Sequence, residues 1–401
     1  MSSTLVASAA FPAPATFSGK IKNWVLPLCN FLSKGWEVSI LGLLVFIKQK
    51  YDLPLYLVGL LSTVFIVCQI SISIFAGVIA HRLGSKNVIL LSISASGTAW
   101  LILCLPANFY ALFLAYAFAG LSSGLFEPIG NSLVAKGASA KTRSSAIGNF
   151  AAFGDMGRIA MVAMATTLAG FFGVAITCAV LLASTVIALV LALLVNNQRT
   201  AGSAEAPVSE APVKLATLLK NKRFCYATIA GIADSFSSAS LYIFIPFLLS
   251  AKGMPLDQTG WFNALFFMGY LMGRLALGRL SDRHGGPIIL IASKIAMTAL
   301  ILLLIVVPSS IVLLMALIFL LGIFTRGSSP IIRAMVADSM DERISFHSAF
   351  GTFSFASRGS TALCRPIFGF LASYAGISAV FYVAATVSLL TLYPAAKYRN
   401  C

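Results

Sequence analysis

The amino-acid sequence predicts an all-α integral membrane protein: twelve transmembrane helices in two pseudo-symmetric six-helix bundles. Three observations carry this reading. The 401 residues are 59% hydrophobic and only 10% charged, with a mean hydropathy of +0.94, whereas soluble domains carry about 25% charged residues. Apolar runs of about 20 residues, long enough to cross the hydrocarbon core, recur along the whole chain. The second half of the chain also repeats the first.

In chain order, residues 1–22, "MSSTLVASAAFPAPATFSGKIK", have no basic region ahead of their apolar residues. They predict a disordered cytoplasmic tail rather than a cleaved signal. The N-terminal bundle, 23–195, is expected to hold spans near 23–47, 54–80, 87–107, 109–135, 145–170 and 173–195. Residues 196–223, "NNQRTAGSAEAPVSEAPVKLATLLKNKR", are rich in Ala, Pro, Ser and charge and read as a cytoplasmic linker. The C-terminal bundle, 224–397, follows with spans near 224–250, 256–280, 287–307, 310–337, 345–372 and 376–396.

The net charge of +16 reads as topology, since no nucleic-acid-binding motif accompanies it. With both termini inside, the termini and even-numbered loops hold 17 Lys and Arg residues, Arg82, Lys86, Arg279 and Arg283 among them. The other side holds Lys48, Lys50 and Lys252. Both termini are therefore expected in the cytoplasm. Seven cysteines, an odd number without metal-ligand spacing, predict free thiols and no metal site.

"GLSSGLFEPIGNSLVA" (120–135) aligns with "GIFTRGSSPIIRAMVA" (322–337) at a shift of 202, and "GVIAHRLGSK" (77–86) with "GRLSDRHGGP" (278–287) at a shift of 201. Parallel six-helix repeats joined by a polar linker are a recurring transporter plan, with the substrate site at the repeat interface near mid-membrane. "GRLSDRHGG" resembles the Gly-x-x-x-Asp-Arg-x-Gly motif of the major facilitator superfamily, and the resemblance spans essentially the whole chain. The first copy departs from it, with His81 in place of the aspartate.

The resemblance implies that Gly77 and Arg82, and Gly278, Asp282 and Arg283, act in gating. It also implies that Asp282 pairs with Arg333 low on the tenth helix. The first half has His81 and, at the position aligned with Arg333, Asn131, so acid and partner are replaced together. The family arrangement further places the first and fourth helices of each half around a central cavity and the third and sixth against lipid. Lys294, on a lipid-facing helix, is accordingly expected to snorkel.

An ionised side chain at mid-bilayer costs about 2.5–3.5 kcal/mol on insertion scales, so each one in a cavity helix is a functional candidate. Lys34 and Glu37 lie three apart in "FLSKGWEVS", as do Asp155 and Arg158 in "GNFAAFGDMGRIAM", and each pair shares a helical face. Glu127, Asp234 and Arg326 stand in helices 4, 7 and 10, and Arg358 and Arg365 in helix 11. Arg358 lies 200 residues after Arg158, and Asp234 lies 200 after Lys34.

Arginine presents a planar donor fork suited to carboxylate or phosphate, so Arg158 and Arg358 could clamp one anion. Lys34, Arg326 and Arg274 join them as substrate-binding candidates. Arg274 lies eight residues before Asp282, a pattern that resembles oxalate- and monocarboxylate-type facilitators. Asp155, Glu37, Glu127 and Asp234 are the candidate proton carriers.

The expected activity is secondary transport of a small organic anion coupled to protons, by a monomer in a bacterial inner membrane. No phosphate-binding loop occurs, no nucleophile–base arrangement points to an enzyme, and no cofactor is expected. His81, His284 and His347 have no ligand or catalytic setting.

Two alternatives stand beside it. "GLSSGLFEP" followed by "FGDMG" resembles fosmidomycin-resistance-type exporters, which implies proton-driven drug or metabolite efflux. Phe31, Trp36, Tyr242, Phe244, Trp261, Phe266 and Phe267 would then line an aromatic cavity. A membrane receptor or scaffold that no longer transports is the other.

Overall fold

In a computed structural model the described residues are 17–105, 108–137, 143–193, 218, 220–238, 241–255, 258–339 and 346–399, and they are helical almost throughout. The first half contains α1 (Phe17–Gly42), its continuation α2 (Leu44–Tyr51), α3 (Leu55–Leu83), α4 (Ser85–Cys104), α5 (Phe109–Gly137) and α6 (Arg143–Leu193). The second contains α7 (Lys222–Ser238), α8 (Leu241–Ala251), α9 (Thr259–His284), α10 (Gly286–Val306), α11 (Ile311–Arg326) and α12 (Ser329–Asp338). It closes with α13 (Phe346–Tyr374), α14 (Ile377–Leu390) and α15 (Leu392–Arg399). Helix α1 begins inside the segment expected to be a tail. Residues 1–16 of that tail, and residues 196–217 and 219 of the expected linker, lie outside the described residues.

Twelve spans result because a lipid-exposed backbone must satisfy its hydrogen bonds within each helix. Among the described residues, nine helical stretches are long and apolar enough to cross a membrane, one of them Gly148–Leu193. That one is two spans, since Gly173 (φ 81, ψ 169) interrupts the helix. The remaining two are α9 and α13, whose hydropathy is lowered by residues such as Asn263, Arg274, Ser357 and Arg358.

The two motif copies fold alike. Gly84 and Gly285 each end one helix and precede the next, with φ of 87° and 90°, and their N–H groups bond to Ala80 O and Ser281 O. A residue with a Cβ would be strained there, which explains the closing glycine of the motif.

The halves meet at the end remote from the termini. Gly59 of α3 lies so close to Gly369 of α13 that a Cβ added at Gly59 would meet the Gly369 Cα at 2.8 Å. Beside this crossing, Tyr56 N–H donates to Ser373 Oγ at 2.7 Å. Gly260 of α9 lies against Thr166 of α6 in the pseudo-equivalent crossing. Close backbone approach replaces the hydrophobic effect, which does not drive association between helices already in lipid. Toward the termini the same four helices part: no atom lies within 4 Å of a Cβ placed at Gly77, Gly278, Gly148 or Gly351. The outer surface is apolar, with Val186, Ile187 and Val190 on α6 and Leu302, Leu303 and Val306 on α10 all exposed.

Candidate functional site

Parting the halves at one end leaves a cavity of about 650 Å³ between them. From the first half Lys34, Glu37, Glu127, Asp155 and Arg158 line it. From the second come Asp234, Arg274, Arg333, Arg358 and Arg365. Every expected substrate-binding and proton-carrying residue other than Arg326 lines this wall. Arg326 is the last residue of α11, and its side chain lies outside the described residues.

Helix α1 supplies Lys34 one turn before Glu37. Lys34 Nζ lies 2.9 Å from Glu37 Oε2 and 3.0 Å from Glu127 Oε2 on α5. Glu37 Oε2 also accepts from Ser123 Oγ at 3.1 Å, and that hydroxyl accepts from Gln69 Nε2 at 2.7 Å. This chain from α3 through α5 to α1 orients the Glu37 carboxylate, and its polar members were not singled out from the sequence.

Asp155 is 2% exposed and serves two arginines. Its Oδ1 accepts from Arg158 Nη1 at 2.7 Å and its Oδ2 from Arg274 Nη2 at 2.5 Å. The first bond is the one the three-residue spacing predicts. The second joins the two halves. A weaker pair also crosses between them, Glu127 Oε1 to Arg358 Nη2 at 3.7 Å, with both side chains more than a third exposed. Arg158 and Arg358 thus share the cavity but have different partners. Arg365 spends its donor elsewhere, giving Nη1 to the Ser62 carbonyl on α3 at 2.6 Å and lying over the Phe65 ring. It ties the closed end just above the cavity.

Lys294 does not snorkel. It is fully buried, and its ammonium pairs with Asp234 and lies 3.6 Å from Met297 Sδ. Ser328, at the break between α11 and α12, donates to the same Asp234 Oδ1 at 2.9 Å. The physical reason is the inward stripe of α10: Ser293, Lys294, Met297 and Thr298 recur at helical spacing and are all buried. Ser293 and Thr298 on the lysine's own face were the available signal, since polar neighbours argue for protein rather than lipid.

Gly77, Arg82, Gly278, Asp282 and Arg283 stand at exposed or half-exposed helix ends. No ion pair joins Asp282 to Arg333 among the described residues. The implied pairing is thus not made, although both residues belong to the second half. Of the seven aromatic residues considered for an aromatic cavity, only Tyr242 lines it. Trp36 is buried with its Nε1 on Ser184 Oγ, and Trp261 is exposed. Among the described residues no group of three His, Cys, Asp or Glu side chains is placed to hold a metal.

No curated protein matches the chain in sequence. Among solved structures it is similar to the nucleoside transporter NupG, with a TM-score of 0.76 at 15% identity, covering 95% of this chain and 99% of that one. A point mutant of NupG gives 0.77 at 14% identity, covering 94% and 99%. A D-xylose–proton symporter gives 0.73 at 15%, covering 94% and 98%. At such identities these likenesses speak for the fold alone. The sequence profile of the Major Facilitator Superfamily matches twice, over residues 26–233 and 227–399. Two matches, one to each six-helix half, cover nearly the whole chain, which thus belongs to the major facilitator superfamily of secondary transporters.

Proposed function

We propose that the protein carries a small organic anion across the membrane together with protons. The observation that carries this reading is the charge of the cavity wall, where, among the described residues, six cationic side chains face four acidic ones. Two of those acids, Asp155 and Glu127, reach across from the first half to arginines of the second. They occupy Arg274 and Arg358 as a substrate carboxylate or phosphate would. An entering anion takes over these donors, and the displaced carboxylates, left without a cationic partner, take up protons. The exchange is reversible, so the gradients set its direction.

The asymmetry of Lys and Arg supports both termini in the cytoplasm. In that orientation the cavity opens inward, in a monomer that encloses its own site, and a bacterial inner membrane fits the short outer loops. Arg365 and the Gly59–Gly369 crossing then form the closed outer gate.

The test is a thermal-shift screen of purified protein against mono- and dicarboxylates, sugar phosphates and cationic drugs. Anions should stabilise it, by about 2.7 kcal/mol at a hundredfold excess over Kd. Arg158→Ala and Arg358→Ala should each weaken that binding ten- to a hundredfold, the equivalent of about 1.5–3 kcal/mol for a charged hydrogen bond. Stabilisation by cationic drugs alone, or anion binding untouched in both variants, would refute the proposal.

A further inference from the structure

We propose that Asp234, Lys294 and Ser328 form a second proton site, inside the C-terminal bundle, whose protonation unmasks the Lys294 ammonium and draws the substrate anion to that wall. The inference rests on the anion reading above and adds a site distinct from Asp155 and Glu127.

The geometry has three parts. Lys294 has no exposed surface, and Asp234 is its ionic partner. Asp234 in turn lines the cavity. The Lys294 and Ser328 donors both fall on Oδ1, and among the described residues Oδ2 has no hydrogen bond, so a proton arriving from cavity water has a place to bind.

The fold does not need this pair. At the shift of 201 that relates the two halves, Lys294 corresponds to Ile93, which is 1% exposed and packs in the N-terminal bundle as an apolar residue. Replacing a buried ion pair with apolar side chains is often neutral or stabilising, so retaining one here points to a use other than stability.

The chemistry follows from charge balance. As observed, the pair is neutral. Adding a proton to Asp234 breaks no bond in the protein and leaves the Lys294 ammonium uncompensated within a few ångströms of the cavity. An anion entering then restores neutrality. Proton and anion therefore strengthen each other's binding, reciprocally, and leave together.

Among the described residues, the cavity surface that Asp234 shares carries more cations than acids, the other acids being Glu37, Glu127 and Asp155 of the first half. Arg333 on α12, Arg358 and Arg365 on α13, and Arg274 with Tyr270 on α9 line the same cavity. Cys364 on α13 donates to Phe236 O, two residues from Asp234. Of the remaining helices packed on α7, α14 contributes only the exposed Tyr382, and α15 places Tyr393, Lys397, Tyr398 and Arg399 at the terminal end. Among the described residues, Asp234 is the one second-half carboxylate that lines this cavity.

The experiment uses dicyclohexylcarbodiimide, which labels protonated carboxyl groups, on the purified full chain, with the Asp234 peptide read by mass spectrometry and Asp234→Asn as blank. Near neutral pH the wild-type label should be low and rise on acidification. Lys294→Gln should raise it at least tenfold at the same pH, by removing the ammonium that pairs with the carboxylate. Ser328→Ala, a change too small to threaten folding, should raise it several-fold. A carboxylate that stabilises the wild type in the thermal screen should raise it as well.

Labelling unchanged in both variants overturns the proposal. So does a carboxylate that stabilises the protein yet leaves Asp234 labelling where it was. If no anion stabilises the wild type, the substrate reading fails instead, and the response of the two variants still decides whether the proton site exists.

Discussion

The two bundles share a fold but distribute charge in opposite ways. Among the described residues the first half presents two cations and three acids to the cavity, Asp155 and Lys34 buried and Glu127 about a third exposed. Of the described residues, the second presents four arginines and one acid there, with a lysine buried behind the wall. Lys34 and Asp234, 200 positions apart, hold equivalent places with opposite sign. Each finds its counter-ion differently: Lys34 from its own helix and α5, Asp234 from α10, where the first half has Ile93. A duplicated scaffold thus repeats backbone positions while leaving side-chain charge free to diverge. That divergence makes one wall acidic and the other basic, so both cross-half ion pairs run from a first-half acid to a second-half arginine.

The comparison breaks most sharply on the two lysines. Lys294→Met should destabilise the protein by about 3–5 kcal/mol, because it leaves the buried Asp234 carboxylate without its counter-ion. Lys34→Met should cost well under that, because Glu37 and Glu127 face the cavity and its water. Thermal or denaturant unfolding of both variants in one detergent checks this, and equal losses would erase the distinction between the Lys294 pair and the Lys34 pairs.

Next in size is the closed end. Gly369→Leu should disfavour the Gly59–Gly369 crossing by about 1–3 kcal/mol, the usual cost of overpacking. In a cysteine-free background with Gln69→Cys on the cavity wall, an impermeant thiol reagent added from the loop side should then label faster. Unaltered labelling would mean that this crossing does not hold the gate.

The smallest effect is expected at the exposed cross-half pair. Glu127→Gln removes a competitor for Arg358 and should raise anion affinity about two- to fivefold, since partly exposed ion pairs are worth about 0.2–1 kcal/mol. A drop in affinity measured by titration would instead make Glu127 part of the binding surface.

Much of this architecture is legible in one dimension. Span length follows from bilayer thickness, and the 201–202 residue shift exposes the duplication directly. Spacing of three residues on a helix is enough to forecast the Lys34–Glu37 and Asp155–Arg158 pairs, because 100° per residue puts both members on one face. Those are statements about a single helix, and a sequence contains all that is needed for them.

Contacts between helices depend on how each helix is rotated about its own axis, and packing sets that rotation. The sequence therefore placed Lys294 in lipid by helix number, whereas packing turned its polar stripe inward onto Asp234. Arg274 reached Asp155, and Arg365 reached the Ser62 carbonyl, only because the halves close at one end. Composition and periodicity determined that this chain spans the membrane in two related bundles. The rotation and tilt of those helices decided which charges meet, because an ion pair is fixed by ångströms between side chains and not by their order along the chain.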